Sequence, residues 1–252
     1  MTTEARTVAP AREPQLLGQT VVAIGGGDGI GLATARLARA EGADVVLADR
    51  DPERLQQAAI DVDARSSAAF DANDASALKR FFDDLPGPID HVLVTAGGPR
   101  YGPLLGMTGA ELRDAVSGHL VRALEVARNA VGKMRAGGTL LFMGGTGGRR
   151  ISRELGIAPA ATAVLPPFVA TLALELAPVR VNLIAAGFVD TPLSAALLGG
   201  DLEARREELR TTLPIGRVVG PADVAAVAVH LMVNTAVTGA TYDIDGGQQF
   251  VS

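Results

Sequence analysis

Val21-Val-Ala-Ile-Gly-Gly-Gly-Asp-Gly-Ile-Gly31 is the stretch on which the fold turns. Four apolar residues read as a buried strand, and three spaced glycines follow: Gly25, Gly29 and Gly31. After Ile30, the run Leu32-Ala-Thr-Ala-Arg-Leu-Ala-Arg-Ala40 has the composition of a helix. Glycine meets three demands here: a tight turn, a backbone that must lie against a pyrophosphate, and a helix packed closely on its strand. Phosphates would rest on the free N–H groups and the positive end of the helix dipole. Any tight strand-to-helix turn can use such glycines. The strand before and the helix after them point to phosphate binding.

Outward from that turn, short apolar strands alternate with amphipathic helices. Strands are expected at Thr20–Ile24, Asp44–Ala48, Ala68–Phe70, His91–Thr95, Thr139–Met143, Arg180–Ala185 and Thr241–Ile244. Helices are expected at Ile30–Glu41, Pro52–Asp63, Ala75–Asp84, Gly109–Arg135, Pro159–Ala177, Asp201–Arg210 and Pro221–Val233. Near-continuous apolar strands separated by helices imply a parallel sheet covered on both faces. The fold class is therefore α/β, a Rossmann-type doubly wound sheet of about seven strands, with ligands collecting at the strands' carboxyl ends. Residues 16–252 read as one dinucleotide-binding domain behind a flexible N-terminal tail, residues 1–15.

Composition narrows the function classes. The 252 residues are 48% hydrophobic and 20% charged, enough for a large core. A net charge of −5 disfavours nucleic acid as a partner. With no cysteine, disulfides and thiolate metal sites are excluded, and no metal site is expected. No apolar run is expected to span a bilayer and the N-terminus lacks an apolar signal core, so a cytoplasmic protein is expected.

The second strand ends in Val45-Val-Leu-Ala-Asp49-Arg50. An acid some 20 residues past the glycine turn can accept hydrogen bonds from the adenosine ribose hydroxyls and would repel a 2′-phosphate. Asp49 thus favours NAD over NADP. Arg50 beside it could serve a 2′-phosphate, and a solvent-facing Asp-Arg-Asp turn is the plainer alternative.

These motifs together resemble the short-chain dehydrogenase/reductase family, from Leu17 to Gly247. The resemblance rests on Gly25-x-x-x-Gly29-Ile30-Gly31, Phe70-Asp71, Leu93-Val-Thr-Ala-Gly97 and Leu172-Ala-Leu-Glu-Leu-Ala177. Arg180-Val-Asn182, Ala186-Gly-Phe-Val-Asp-Thr-Pro192 and Thr238-Gly-Ala-Thr-Tyr-Asp-Ile-Asp-Gly-Gly247 continue it. It implies that Asp71, with Ala72 beside it, holds the adenine edge. Ala96 and Gly97 would line the cofactor, and Val189 with Thr191 would hold the nicotinamide amide. Ile24, Thr95 and Ala186 depart from the family's usual Thr, Asn and Pro.

At the active site the resemblance fails. The family works with Asn, Ser, Tyr and Lys, the Lys and cofactor ribose lowering the Tyr pKa so the phenol can exchange a proton. Counting back from Glu175 puts Thr162 at the Lys position and Ala158 at the Tyr position. Gly145 stands for the Ser and His119 for the Asn. The only tyrosines are Tyr101 and Tyr242 and the only lysines Lys79 and Lys133, so no Tyr-x-x-x-Lys exists in any alignment. Carbonyl reduction by the family's own proton relay is not expected.

Three features could rebuild the chemistry. His119 titrates near neutrality and could act as acid or base, or simply pack within its helix. Tyr101 follows the cofactor-lining turn, where its hydroxyl could reach a substrate or its ring could cover the pocket. The loop Gly144-Gly-Thr-Gly-Gly-Arg-Arg-Ile-Ser-Arg153 could clamp an anionic ligand with its three arginines, or carry solvated charges. Pro166-Pro167 should kink the helix at the missing Tyr and Lys. In the family that helix and the one bearing His119 pair two subunits, so a homodimer or homotetramer is expected, with Val164–Leu174 buried. Two readings remain: an NAD-dependent oxidoreductase with a non-standard acid–base group and a small-molecule carbonyl or alcohol substrate, or a catalytically silent, cofactor-sensing or scaffold relative.

Overall fold

The computed structural model describes residues 13–149, 151, 153 and 155–251. Residues 1–12 of the expected tail, and Arg150 of the arginine loop, lie outside the described residues. Seven strands form one parallel sheet in the order β3-β2-β1-β4-β5-β6-β7. They are β1 (Thr20–Ile24), β2 (Asp44–Asp49), β3 (Ser66–Ala69), β4 (Ile89–Val94), β5 (Met134–Gly145), β6 (Arg180–Ala186) and β7 (Thr241–Ile244). The order reverses between β1 and β4, which places a ligand crevice beyond their carboxyl ends.

Nine α-helices connect the strands among the described residues. These are α1 (Gly29–Ala40), α2 (Pro52–Asp61), α3 (Ala75–Asp84), α4 (Gly109–Ala130), α5 (Ala158–Ala163), α6 (Leu165–Glu175), α7 (Pro192–Leu198), α8 (Leu202–Thr212) and α9 (Pro221–Val233). Period-two alternation along each strand splits the core into two layers. Val21, Ala23, Val45, Leu47, Leu93, Leu141 and Ile184 pack with residues of α1, α2 and α9. Val22, Ile24, Val46, Val92, Leu140, Phe142 and Leu183 pack with α3, α4 and α6.

Several expectations need correction. The helix expected over Gly109–Arg135 stops at Ala130; a 3₁₀ turn follows and Met134 already pairs with Ile89 as the start of β5. The helix expected over Pro159–Ala177 breaks at Val164 into α5 and α6. Its prolines fall in the first turn of α6, where a missing N–H is tolerated. The same stretch, Ala158–Glu175, is also long and apolar enough by composition to cross a membrane, contrary to expectation. It folds as that broken pair, and Leu165, Val169 and Leu172 pack into the core beside β6. Val164 and Leu174, the ends of the run expected to be buried between subunits, are exposed on the single chain, and their burial between subunits is not tested by it. Helix α7 was not expected; Pro192 starts it and the Thr191 side chain caps it by accepting from the Ser194 N–H at 3.2 Å.

Candidate functional site

The glycine turn is built as its sequence demands. Gly25 has φ +90°, and a side chain there would come within 2.5 Å of Thr95 Oγ1. Thr95 Oγ1 donates to the Gly25 carbonyl at 2.9 Å, so this departure from the family Asn still ties β4 to the turn. A Cβ on Gly31 would stand 2.0 Å from the Gly25 carbonyl oxygen, so α1 packs at backbone contact. Asp28 precedes α1 with extended backbone and no side-chain cap, leaving the helix N-terminus open toward the crevice. At Gly29, φ is +50° and a Cβ would meet Thr191 Cγ2 at 3.4 Å. The glycine turn and the Val189–Thr191 wall therefore face each other, with Ile30 half-buried between turn and helix. Val189 is buried and bridges to Val219, which fixes that wall.

Asp49, at the end of β2, is more constrained than its sequence suggests. Its Oδ2 accepts from the Gly27 N–H at 3.1 Å, and its Oδ1 accepts from the Asp51 N–H at 3.2 Å and Arg54 Nη2 at 3.0 Å. Burial opposes its charge, but these bonds outweigh it and hold its carboxyl below the usual range. Arg54 also reaches Asp28 Oδ2 at 2.9 Å, so one guanidinium bridges two carboxylates. Burial raises the Asp28 carboxyl, against Arg54. Arg50 is exposed. Neither Asp28 nor Arg54 stood out in the sequence; a basic residue at i+5 from Asp49, on the first turn of α2, was the available signal.

Asp71 and Ala72 follow β3, and Ala96 and Gly97 follow β4. Asp71 is exposed, its Oδ1 accepting from the Asn73 N–H at 2.9 Å and Asn73 Nδ2 at 3.0 Å; Ala72 is buried. The Ala96 carbonyl accepts from Arg122 Nη1 at 2.9 Å. Gly97 has φ +106°, and a Cβ there would lie 2.3 Å from the same Nη1. Arg122, on α4, was missed because in sequence it reads as one more charge on a long helix.

The four replaced positions come together in part. A Cβ on Gly145 would touch Thr162 Cγ2 at 3.5 Å, so the Ser and Lys positions adjoin. Thr162 Oγ1 donates back to the Ala158 carbonyl at 3.0 Å, an intrahelical bond, and Ala158 is buried. His119 lies one turn before Arg122 on α4, half-buried, lining a cavity of about 20 Å³ with Val94, Ala96, Arg122, Phe142, Met143 and Leu165. That is room for about one water. Burial first, then the Arg122 charge, lowers the His119 pKa. Tyr101 is 48% exposed, and desolvation raises its phenol pKa, the wrong direction for a group that must release a proton near neutrality. Its loop packs against the segment leading into α5, because a Cβ on Gly156 would stand 2.1 Å from the Gly102 carbonyl oxygen. Of the expected arginine clamp, Arg149 is paired with Asp243 and bonded to Gln249 Oε1, and Arg153 is exposed. Those pairs take Arg149 out of an anion clamp. Among the described residues no cluster of His, Asp and Glu could hold a metal.

Open helix N-terminus, glycine-rich turn and strand-end carboxylate define a dinucleotide-binding α/β protein. Residues 25–249 match the family model described as enoyl-(acyl carrier protein) reductase. The chain belongs to the short-chain dehydrogenase/reductase family. It is 31% identical to an uncharacterized oxidoreductase of Mycobacterium tuberculosis (strain CDC 1551 / Oshkosh), over 92% of each chain. Among solved structures, a short-chain dehydrogenase/reductase of the glucose/ribitol dehydrogenase kind from Brucella melitensis superposes with TM-score 0.85 at 26% identity. That match covers 94% of this chain and 98% of the other. BdcA in complex with NADPH superposes with TM-score 0.81 at 25% identity, over 92% of this chain and 95% of its own. A neighbour that holds NADPH lends no support to the NAD preference read from Asp49.

Proposed function

We propose that this chain is an NAD-dependent oxidoreductase that oxidises a small-molecule alcohol, with His119 as its base. The observation that carries the reading is the half-buried imidazole at the family's Asn position, lining a cavity with Ala96, Arg122 and Met143, where burial and Arg122 disfavour its charged form. The lowered pKa favours the neutral imidazole, the form that can accept a proton, while making it a weaker base than a free imidazole. When bound, the nicotinamide would supply the hydride acceptor. Gly29, Ile30 and the open end of α1 would hold the pyrophosphate, Asp49 the adenosine ribose, and Val189 with Thr191 the amide. The family's proton relay does not fit here. Ala158 has no exchangeable proton, and the Thr162 hydroxyl is bonded within α5.

The charge around Asp49 favours NAD. Two carboxylates against one guanidinium leave a net negative charge where a 2′-phosphate would lie. Exposed Leu112 and Val121 on α4, with Leu174 on α6, support a homodimer or homotetramer through these helices. The packing of Met143 and Leu165 beside His119, with space for about one water, favours a second reading: a silent relative that binds cofactor or ligand without turnover.

One assay separates the two. Wild type and His119→Asn are incubated with NAD⁺ and a panel of secondary alcohols, and NADH is followed at 340 nm. The enzyme reading expects turnover that falls by about 10²–10⁴ in the variant. Turnover equal in both proteins sinks His119 as the base. Tight cofactor binding without turnover on any alcohol selects the silent relative.

A further inference from the structure

Arg122 is 9% exposed, and its two bonds go to neutral oxygens: Nη1 to the Ala96 carbonyl at 2.9 Å and Nη2 to Asn73 Oδ1 at 3.0 Å. Its buried Nε has no protein partner. Keeping a guanidinium under these conditions is costly: desolvation lowers its pKa, and Asp71 and Asp114, neither of them hydrogen-bonded to it, offset that only in part. What it touches gives the reason. Ala96 precedes Gly97 on the loop after β4, and Asn73 follows Asp71 on the turn after β3. A Cβ on Gly97 would lie 2.3 Å from Nη1, so the guanidinium sits tight under that loop.

The chain of bonds continues to the carboxylate. A guanidinium only donates, so the oxygen of Asn73 must face it, and Nδ2 is thereby turned toward Asp71. Asn73 Nδ2 and the Asn73 N–H donate to one and the same oxygen, Asp71 Oδ1, at 3.0 Å and 2.9 Å. Among the described residues no donor reaches Asp71 Oδ2, which leaves it for a donor from a ligand. We propose that Arg122 and Asn73 are positioning residues that fix the Asp71 carboxylate to accept from the exocyclic amino group of a bound adenine. This rests on the dinucleotide reading of the crevice and adds to it the two residues that orient its adenine contact.

The probes are NADH and its deamino analogue, in which hypoxanthine presents a carbonyl oxygen where adenine presents the amino group. Each is titrated by fluorescence into wild type, Asn73→Ala, Arg122→Met and Arg122→Lys. Wild type is expected to favour NADH by about tenfold, the scale of one hydrogen bond to a charged acceptor. In Asn73→Ala and Arg122→Met the preference should shrink below about twofold; Arg122→Lys, keeping the charge but not the fork, should fall between. A merely structural role would weaken both dinucleotides together and leave their ratio alone. Asn73 is exposed, so its variant keeps the test alive if Arg122→Met does not fold. An unchanged ratio in the folded variants, or equal affinities in wild type, overturns the proposal while leaving the crevice a dinucleotide site. Wild type that binds neither dinucleotide overturns both.

Discussion

Replacing the two carboxylates that Arg54 bridges should invert the cofactor preference. Asp28, Asp49 and Arg54 form a trio at 2.9 Å and 3.0 Å carrying one net negative charge. A 2′-phosphate of about −1.5 charge at about 5 Å would meet roughly 5 kcal/mol of repulsion at an effective dielectric of 20. Arg54 and Asp28 are about a third exposed, so water and salt reduce that to about 1.5 kcal/mol, about tenfold in affinity. Replacing both acids, Asp28→Ser with Asp49→Ser, leaves Arg54 uncompensated and the local charge positive. NADPH should then be favoured by about tenfold, a swing of about two decades. NADH itself should bind more weakly, because Asp49 no longer meets the ribose hydroxyls. Fluorescence titration with NADH and NADPH at low and high ionic strength reads both ratios, and each should narrow with salt. Wild type that prefers NADPH, or a double variant that keeps the wild-type ratio, would refute the charge argument.

Two further outcomes follow from burial and contact distances. His91 is buried, and desolvation, then the Arg180 charge, pushes its pKa down to about 3. Its depressed folded value makes the unfolded chain bind the extra proton, so stability is full above pH 6.5. It should fall by about 1.4 kcal/mol per pH unit as pH drops from 6.5 toward 3. Thermal melts across that range should show a shallower decline in His91→Gln, and an identical slope would count against it. At the glycines, Gly31→Ala places a methyl 2.0 Å from the Gly25 carbonyl oxygen and should lower stability by about 3 kcal/mol and abolish NADH binding. Gly145→Ser meets nothing nearer than 3.5 Å and should melt within a few degrees of wild type; a reversed order of the two would mean the turn is not packed as described.

The sheet was legible because its evidence is local. Each buried strand reads directly from its apolar run, and Gly25 to Gly31 fix both the first crossover and the ligand end. The place of Asp49 at the crevice followed from its position at the end of the second strand, some 20 residues past the glycine turn. What escaped was whatever depends on distant neighbours. Arg122 looks like a solvent-facing charge until β3 and β4 close their loops over it. Arg54 lies on another element from Asp28, and no periodicity links them. Val164 gives no break signal of its own; the two prolines after it end one helix by starting the next. Met134 joins β5 because Ile89 lies beside it, a pairing that the helix expected through Arg135 could not foresee. The replaced active site was readable for a different reason: a missing Tyr-x-x-x-Lys is a fact of sequence, independent of packing.

The central claim is that His119 stands at the reacting end of a dinucleotide crevice as a neutral base. Labelling the imidazole nitrogens of the three histidines, His91, His119 and His230, and recording their NMR signals without and with NAD⁺ tests it without knowledge of the substrate. The account predicts that His119 titrates below 6.5 and that its signal moves on saturation with NAD⁺. His91, buried in β4, and His230, on the last turn of α9, should stay still. NAD⁺ bound at full occupancy with the His119 signal unmoved would contradict it.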